Sequence, residues 1–162
     1  MEKMGKKGRE VVEGDVDQLI RELQKAHADE WIAFYYYTLA SEIAEGRTSP
    51  MVIDALKELA KDELEHASEL AERIIELGSE PTRDFAQLTK VANYPEVKLP
   101  KDPKDLDGII KAVIDAERGA IEVYNNLLKR LMKEWRDPIT FHIIRHIMEE
   151  EVNHEEKMED IL

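Results

Sequence analysis

No cysteine occurs among the 162 residues, which excludes disulfides, thiolate metal sites, iron–sulfur clusters and thiol catalysis. Any metal the chain holds must be held by oxygen and imidazole nitrogen. No apolar run reaches the ~18 residues of a membrane-spanning helix, and the opening MEKMGKKGRE lacks the apolar centre of a signal peptide. The chain is therefore expected to be cytoplasmic, with no membrane partner. Cationic residues are outnumbered: 23 Lys and Arg against 36 Asp and Glu leave a formal charge of −13. Such a surface disfavours nucleic acid as a main partner and suits cations.

Apolar residues recur at helical spacing in four long segments separated by clear stop signals. The first spans about Val16 to Glu45 and stops before Gly46, where glycine can take the left-handed cap conformation. The second opens with Ser49 as cap and Pro50 in the first turn, and runs to Gly78. The third covers Leu106 to Glu134, and the fourth begins at Asp137 and Pro138 and reaches Leu162. Residues 78–104, with four prolines, separate the second helix from the third. A ~28-residue helix is ~42 Å long and ~27 extended residues reach ~89 Å, so this segment can cross the length of a bundle. Phe85, Leu88 and Val91 are placed to form one short helix on the way. Short, long and short connections imply an all-α four-helix bundle with one long crossover between helices 2 and 3. The expected division is a flexible N-terminal segment over 1–15 and a four-helix domain over 16–162.

The apolar stripes of these helices carry acids. In the second helix the stripe of Val52, Leu56, Leu59, Leu70 and Ile74 passes through Glu63 and His66. In the fourth, Ile144, Ile147, Met158 and Ile161 flank Glu151 and His154. Both pairs are Glu-x-x-His, and residues three apart project from nearly the same helix face. The stripe of Ile20, Leu23, Phe34 and Tyr37 in the first helix contains Glu30, and that of Ile110, Val113, Ala120, Tyr124 and Leu127 in the third contains Glu117. Counting from the intervening turns brings Glu30 level with Glu63, and Glu117 within ~4 to 5 Å of Glu151. Four carboxylates in an apolar interior require neutralisation, and two divalent cations supply it. Oxygen-rich sites with one nitrogen per metal suit iron or manganese better than tetrahedral zinc.

With this pattern of Glu, Glu-x-x-His, Glu, Glu-x-x-His over residues 16–162, the chain resembles the ferritin-like di-iron carboxylate superfamily. The resemblance implies two iron ions per subunit, bridged by Glu63 and Glu151, with Glu30, Glu117, His66 and His154 as terminal ligands. Tyr37 matches a tyrosine that ferritins and bacterioferritins place beside the site. The implied activity is iron(II) oxidation by hydrogen peroxide or dioxygen, with ferric storage in cage-forming branches. Leu64 stands where bacterioferritin has its haem-binding methionine, so no haem is expected. The chain ends eight residues after His154, which resembles Dps-like subunits and implies a homo-oligomeric cage of twelve and a tilt toward hydrogen peroxide. The alternatives are a non-storing di-iron peroxidase or oxidase, and a helical interaction protein whose inward acids form a polar network.

Other features keep two readings. Trp31 and Tyr35 lie off the Glu30 stripe and are placed for an intersubunit contact. His27 is a core histidine or a secondary ligand. His142 and His146 are a surface or interface pair, or an iron-entry site; Glu122 and Glu150 are solvated acids or transient iron sites. Lys3, Lys6, Lys7 and Arg9 form a solubilising end or a DNA-holding tail.

Overall fold

A computed structural model describes residues 6–162, and among them every regular element is helical. Helix α1 is Lys6–Glu10, followed by α2, Val16–Ile43, and α3, Ser49–Glu76. A 3-10 turn, Phe85–Gln87, leads into the four-residue α4, Leu88–Val91. Helix α5, Leu106–Arg130, continues into a π-helical turn, Leu131–Trp135, and α6 is Pro138–Asp160. Within the segment expected to be flexible, α1 is helical and Val12 is buried; residues 1–5 lie outside the described residues.

The caps follow the side chains at each start. Asp15, Asp105 and Asp137 accept hydrogen bonds from the first-turn amides of α2, α5 and α6, and Pro138 fills a position that needs no amide donor. The cap of α3 is Thr48 rather than Ser49, one residue earlier than the Ser-Pro signal indicates, and its side chain makes no capping bond. Helix α5 also ends differently from expectation. Its wider last turn buries Trp135 completely, with the indole N–H donating to Asp15 O at 2.8 Å and the Arg130 guanidinium 4.6 Å from the ring centroid. Gly14 allows the approach, since a Cβ there would stand 2.6 Å from Glu134 O and its φ is +70°.

The crossover does run the length of the bundle. Glu45 N–H donates to Pro103 O at 2.9 Å, joining the end of α2 to the approach to α5, while Trp135 joins the end of α5 to the start of α2. Two apolar clusters fill the interior. One holds Leu19, Leu23, Leu70, Ile74, Tyr124 and Ile147; the other holds Tyr37, Leu56, Leu59, Ile110, Val113 and Met158. The polar groups described next lie between them.

Candidate metal centre

Glu30, Glu63, His66, Glu117, Glu151 and His154 are each at most 2% exposed, and the four helices bring all six together. They form two groups of potential ligand atoms, each group lying within 4.8 Å of one another: Glu30, Glu63, His66 and Glu151, and Glu63, Glu117, Glu151 and His154. Glu63 and Glu151 belong to both. His66 Nδ1 is 3.6 Å from Glu30, 3.4 Å from Glu63 and 3.1 Å from Glu151. His154 Nδ1 is 3.2 Å from Glu63, 3.4 Å from Glu117 and 3.5 Å from Glu151. The imidazoles stack at 6.0 Å between centroids.

The atoms facing this centre lack hydrogen-bond partners: Glu63 Oε1, Glu117 Oε2, Glu151 Oε1 and both histidine Nδ1 atoms. Unpaired buried polar atoms are costly, and five of them within these two groups mark places that could hold cations. Oxygen-rich donors with one imidazole nitrogen in each group fit iron or manganese. The outward atoms, by contrast, are satisfied. His66 Nε2 pairs with Glu150, and His154 Nε2 lies 2.9 Å from Asp62. Tyr37 donates to Glu117 at 2.5 Å, and Tyr124 donates to Glu30.

Without metal, protons balance the charge. Burial pushes Glu63 and Glu117 well above the carboxylate range, and the Glu151 charge adds to it. Burial also opposes ionisation of Glu30 and Glu151, but the adjoining carboxyls and imidazoles hold both below that range. Burial disfavours charge on the imidazoles as well; the surrounding carboxylates overcome it and raise His66 and His154 far above ordinary histidine. Tyr37 and Tyr124 are raised chiefly by burial and then by their carboxylate partners, and remain donors.

A family model for the ferritin-like domain matches residues 20–162. The chain belongs to this family. A DNA protection during starvation protein from Pyrococcus furiosus is 31% identical over 148 residues, covering 91% of this chain and 78% of that protein. A bacterioferritin from Desulfovibrio desulfuricans is 32% identical over 137 residues, covering 85% of this chain and 70% of the relative. The dodecameric thioferritin of Bacteroides fragilis, a bacterioferritin-related protein, superposes with a TM-score of 0.84 at 30% identity, covering 91% of this chain and 86% of that one. The four-helix bundle with one long crossover expected from helix spacing, ferritin-like as the resemblance implies, is the fold observed.

Sequence reasoning did not single out Asp62 or the donor role of Tyr124. Asp62 immediately precedes Glu63 as Glu150 precedes Glu151, and Tyr124 follows Glu117 by seven residues as Tyr37 follows Glu30. Repeating the motif across the two halves is the signal that finds them. Glu150 meets the outward nitrogen of His66, whereas Glu122 is exposed. His27 belongs to neither ligand group; its Nε2 accepts from Trp31 at 3.2 Å, and burial lowers its pKa. His142 and His146 are exposed, with His146 3.8 Å from Glu69 and 3.7 Å from Glu150. No helix among the described residues is long and apolar enough to cross a membrane.

Proposed function

We propose that the protein is a di-iron ferroxidase. Glu30, Glu63, His66 and Glu151 hold one iron, and Glu63, Glu117, Glu151 and His154 hold the other, with Glu63 and Glu151 bridging. The observation that carries this reading is the pair of ligand groups sharing two carboxylates, with five unpartnered atoms facing inward. Two iron(II) ions release two electrons together. Hydrogen peroxide with two protons takes both and leaves as two waters; dioxygen with two protons leaves as hydrogen peroxide. Peroxide consumption combined with iron storage limits hydroxyl-radical formation. The dodecameric relative supports a twelve-subunit cage of this chain as the storage vessel.

Anaerobic titration with iron(II) tests the reading directly. The expected result is a break at two ions per chain, abolished by Glu63→Ala and by His154→Ala. No break, or one that both substitutions leave unchanged, would refute it. Stopped-flow mixing of the loaded protein with each oxidant then ranks them. The Dps-like architecture predicts the faster reaction with peroxide, and an equal or faster dioxygen rate at matched concentration overturns that preference.

A further inference from the structure

Under the crossover, between α2 and α5, lies a cavity of about 220 Å³. Its inner end is formed by Glu30, Glu63 and Glu151, beside Tyr37 and Tyr124. At its outer end stand the exposed crossover residues Tyr94, Glu96 and Lys98. The walls between are mostly apolar, with Ile32, Ala33, Val97, Ala116, Ala120 and Val123, and carry the acids Asp29 and Asp115 as well. The space exists because α5 presents Ala112, Ala116, Gly119 and Ala120 to it, where larger side chains would close the gap.

The mouth is built as specifically as the floor. A Cβ on Gly119 would lie 3.3 Å from the Tyr94 ring, so glycine lets that ring rest on α5. Asp29 fixes the segment carrying Tyr94: it accepts from Asn93 N at 2.7 Å, Asn93 Nδ2 at 2.7 Å and Tyr94 N at 3.2 Å. At the floor, Glu63 Oε1 and Glu151 Oε1 are buried without a partner.

The apolar stretch between the two ends suits small apolar guests, as engineered apolar cavities of about 150 Å³ take up benzene or xenon. Dioxygen is such a guest, whereas hydrogen peroxide is not, because entry would cost it its hydrogen bonds to water. Polar groups that reach the site, Asp62 and Glu150, lie across the bundle on α3 and α6. We propose that the cavity is a dioxygen port, delivering dioxygen to the Glu30, Glu63 and Glu151 side of the centre, with Tyr94 seated on Gly119 as its outer wall. Polar reactants do not use it.

The inference rests on the ferroxidase reading, and the tests separate the two. Ala33→Phe and Ala120→Leu, each filling the chamber, are expected to slow dioxygen-driven iron oxidation by about tenfold, while the peroxide-driven rate and the two-ion anaerobic break stay as in the unsubstituted protein. An unchanged dioxygen rate, or equal losses with both oxidants, overturns the port. Xenon binding to the unsubstituted, metal-free protein, followed by 129Xe NMR and by diffraction under xenon pressure, needs neither iron nor a folded variant. Xenon between α2 and α5 supports the port, and its absence there overturns it. Failure of the ferroxidase reading shows instead as a missing iron break in the unsubstituted protein.

Discussion

Tyr37 donates to Glu117 and Tyr124 to Glu30, so each half of the bundle orients a carboxylate belonging to the other. Asp62 and Glu150 act alike on the imidazoles, fixing the nitrogen that faces away from the centre. Removing such supporting contacts typically costs 10–100-fold in metal affinity. Asp62→Asn is therefore expected to weaken the ion at His154, and Glu150→Gln the ion at His66, each by about tenfold. Competitive titration with cobalt(II), read by its absorption bands, checks this; equal weakening of both ions by either substitution contradicts it. The protons held by Glu63, Glu117 and the imidazoles must leave when cations enter. Apparent affinity should consequently rise with pH, with protons released on loading; calorimetry in buffers of different ionisation enthalpy measures that release. The six residues that the helices bring together were legible because both Glu-x-x-His pairs, and Glu30 and Glu117 with them, fell on apolar stripes. Asp62 and Glu150 were not, because a residue preceding a ligand points about 100° away along its own helix, and only the crossing of α3 with α6 brings it to the other half's imidazole.

Arg73 of α3 is held by the start of α6. Its guanidinium donates to Thr140 Oγ1 at 2.8 Å and to Asp137 Oδ2 at 2.9 Å, and all three residues are at most 3% exposed. Asp137 also caps α6 through the amides of Ile139 and Thr140. Breaking a buried ion pair by removing one partner costs about 3–5 kcal/mol, and Asp137→Ala should lower the thermal midpoint accordingly. Although burial raises the pKa of Asp137, hydrogen bonds from Thr140 and Arg73 outweigh it and hold the group below the carboxylate range. The sign follows from linkage: its stabilisation is complete above the unfolded carboxylate pKa and is lost as pH falls through the depressed folded value. Denaturant midpoints measured from neutral pH into acid should converge for the two proteins; a constant gap contradicts the assignment. Asp137-Pro138 marked the helix start in the sequence, but Arg73 gave no sign of its role. The π-helical turn was equally illegible, because it exists to seat Trp135 against Asp15, 120 residues distant in sequence.

All six proposed ligands come from one chain, so iron binding and iron storage are separable at the scale of the whole molecule. Storage needs a closed shell, and a shell needs apolar surface that one subunit leaves uncovered. Tyr35 is 56% exposed, with its ring edge-on to Tyr36 at 5.3 Å, while Trp31 on the same helix is occupied with His27 and Phe34. Aromatic surface of this kind anchors interfaces. Each chain also brings a formal charge of −13, so subunits associate only where apolar contact exceeds their mutual repulsion. With Tyr35 at the interface of the proposed cage, a further negative charge there, Tyr35→Glu, is expected to convert the proposed particle of twelve times the 18.8 kDa chain mass into small species by light scattering. The two-ion break in an anaerobic iron(II) titration should survive, since no ligand crosses the interface, whereas ferric iron beyond that ratio should precipitate instead of remaining in solution. A variant that keeps its mass removes Tyr35 from the interface. A variant that falls apart and also loses the break shows that the metal centre depends on assembly, contrary to a site built wholly within one bundle.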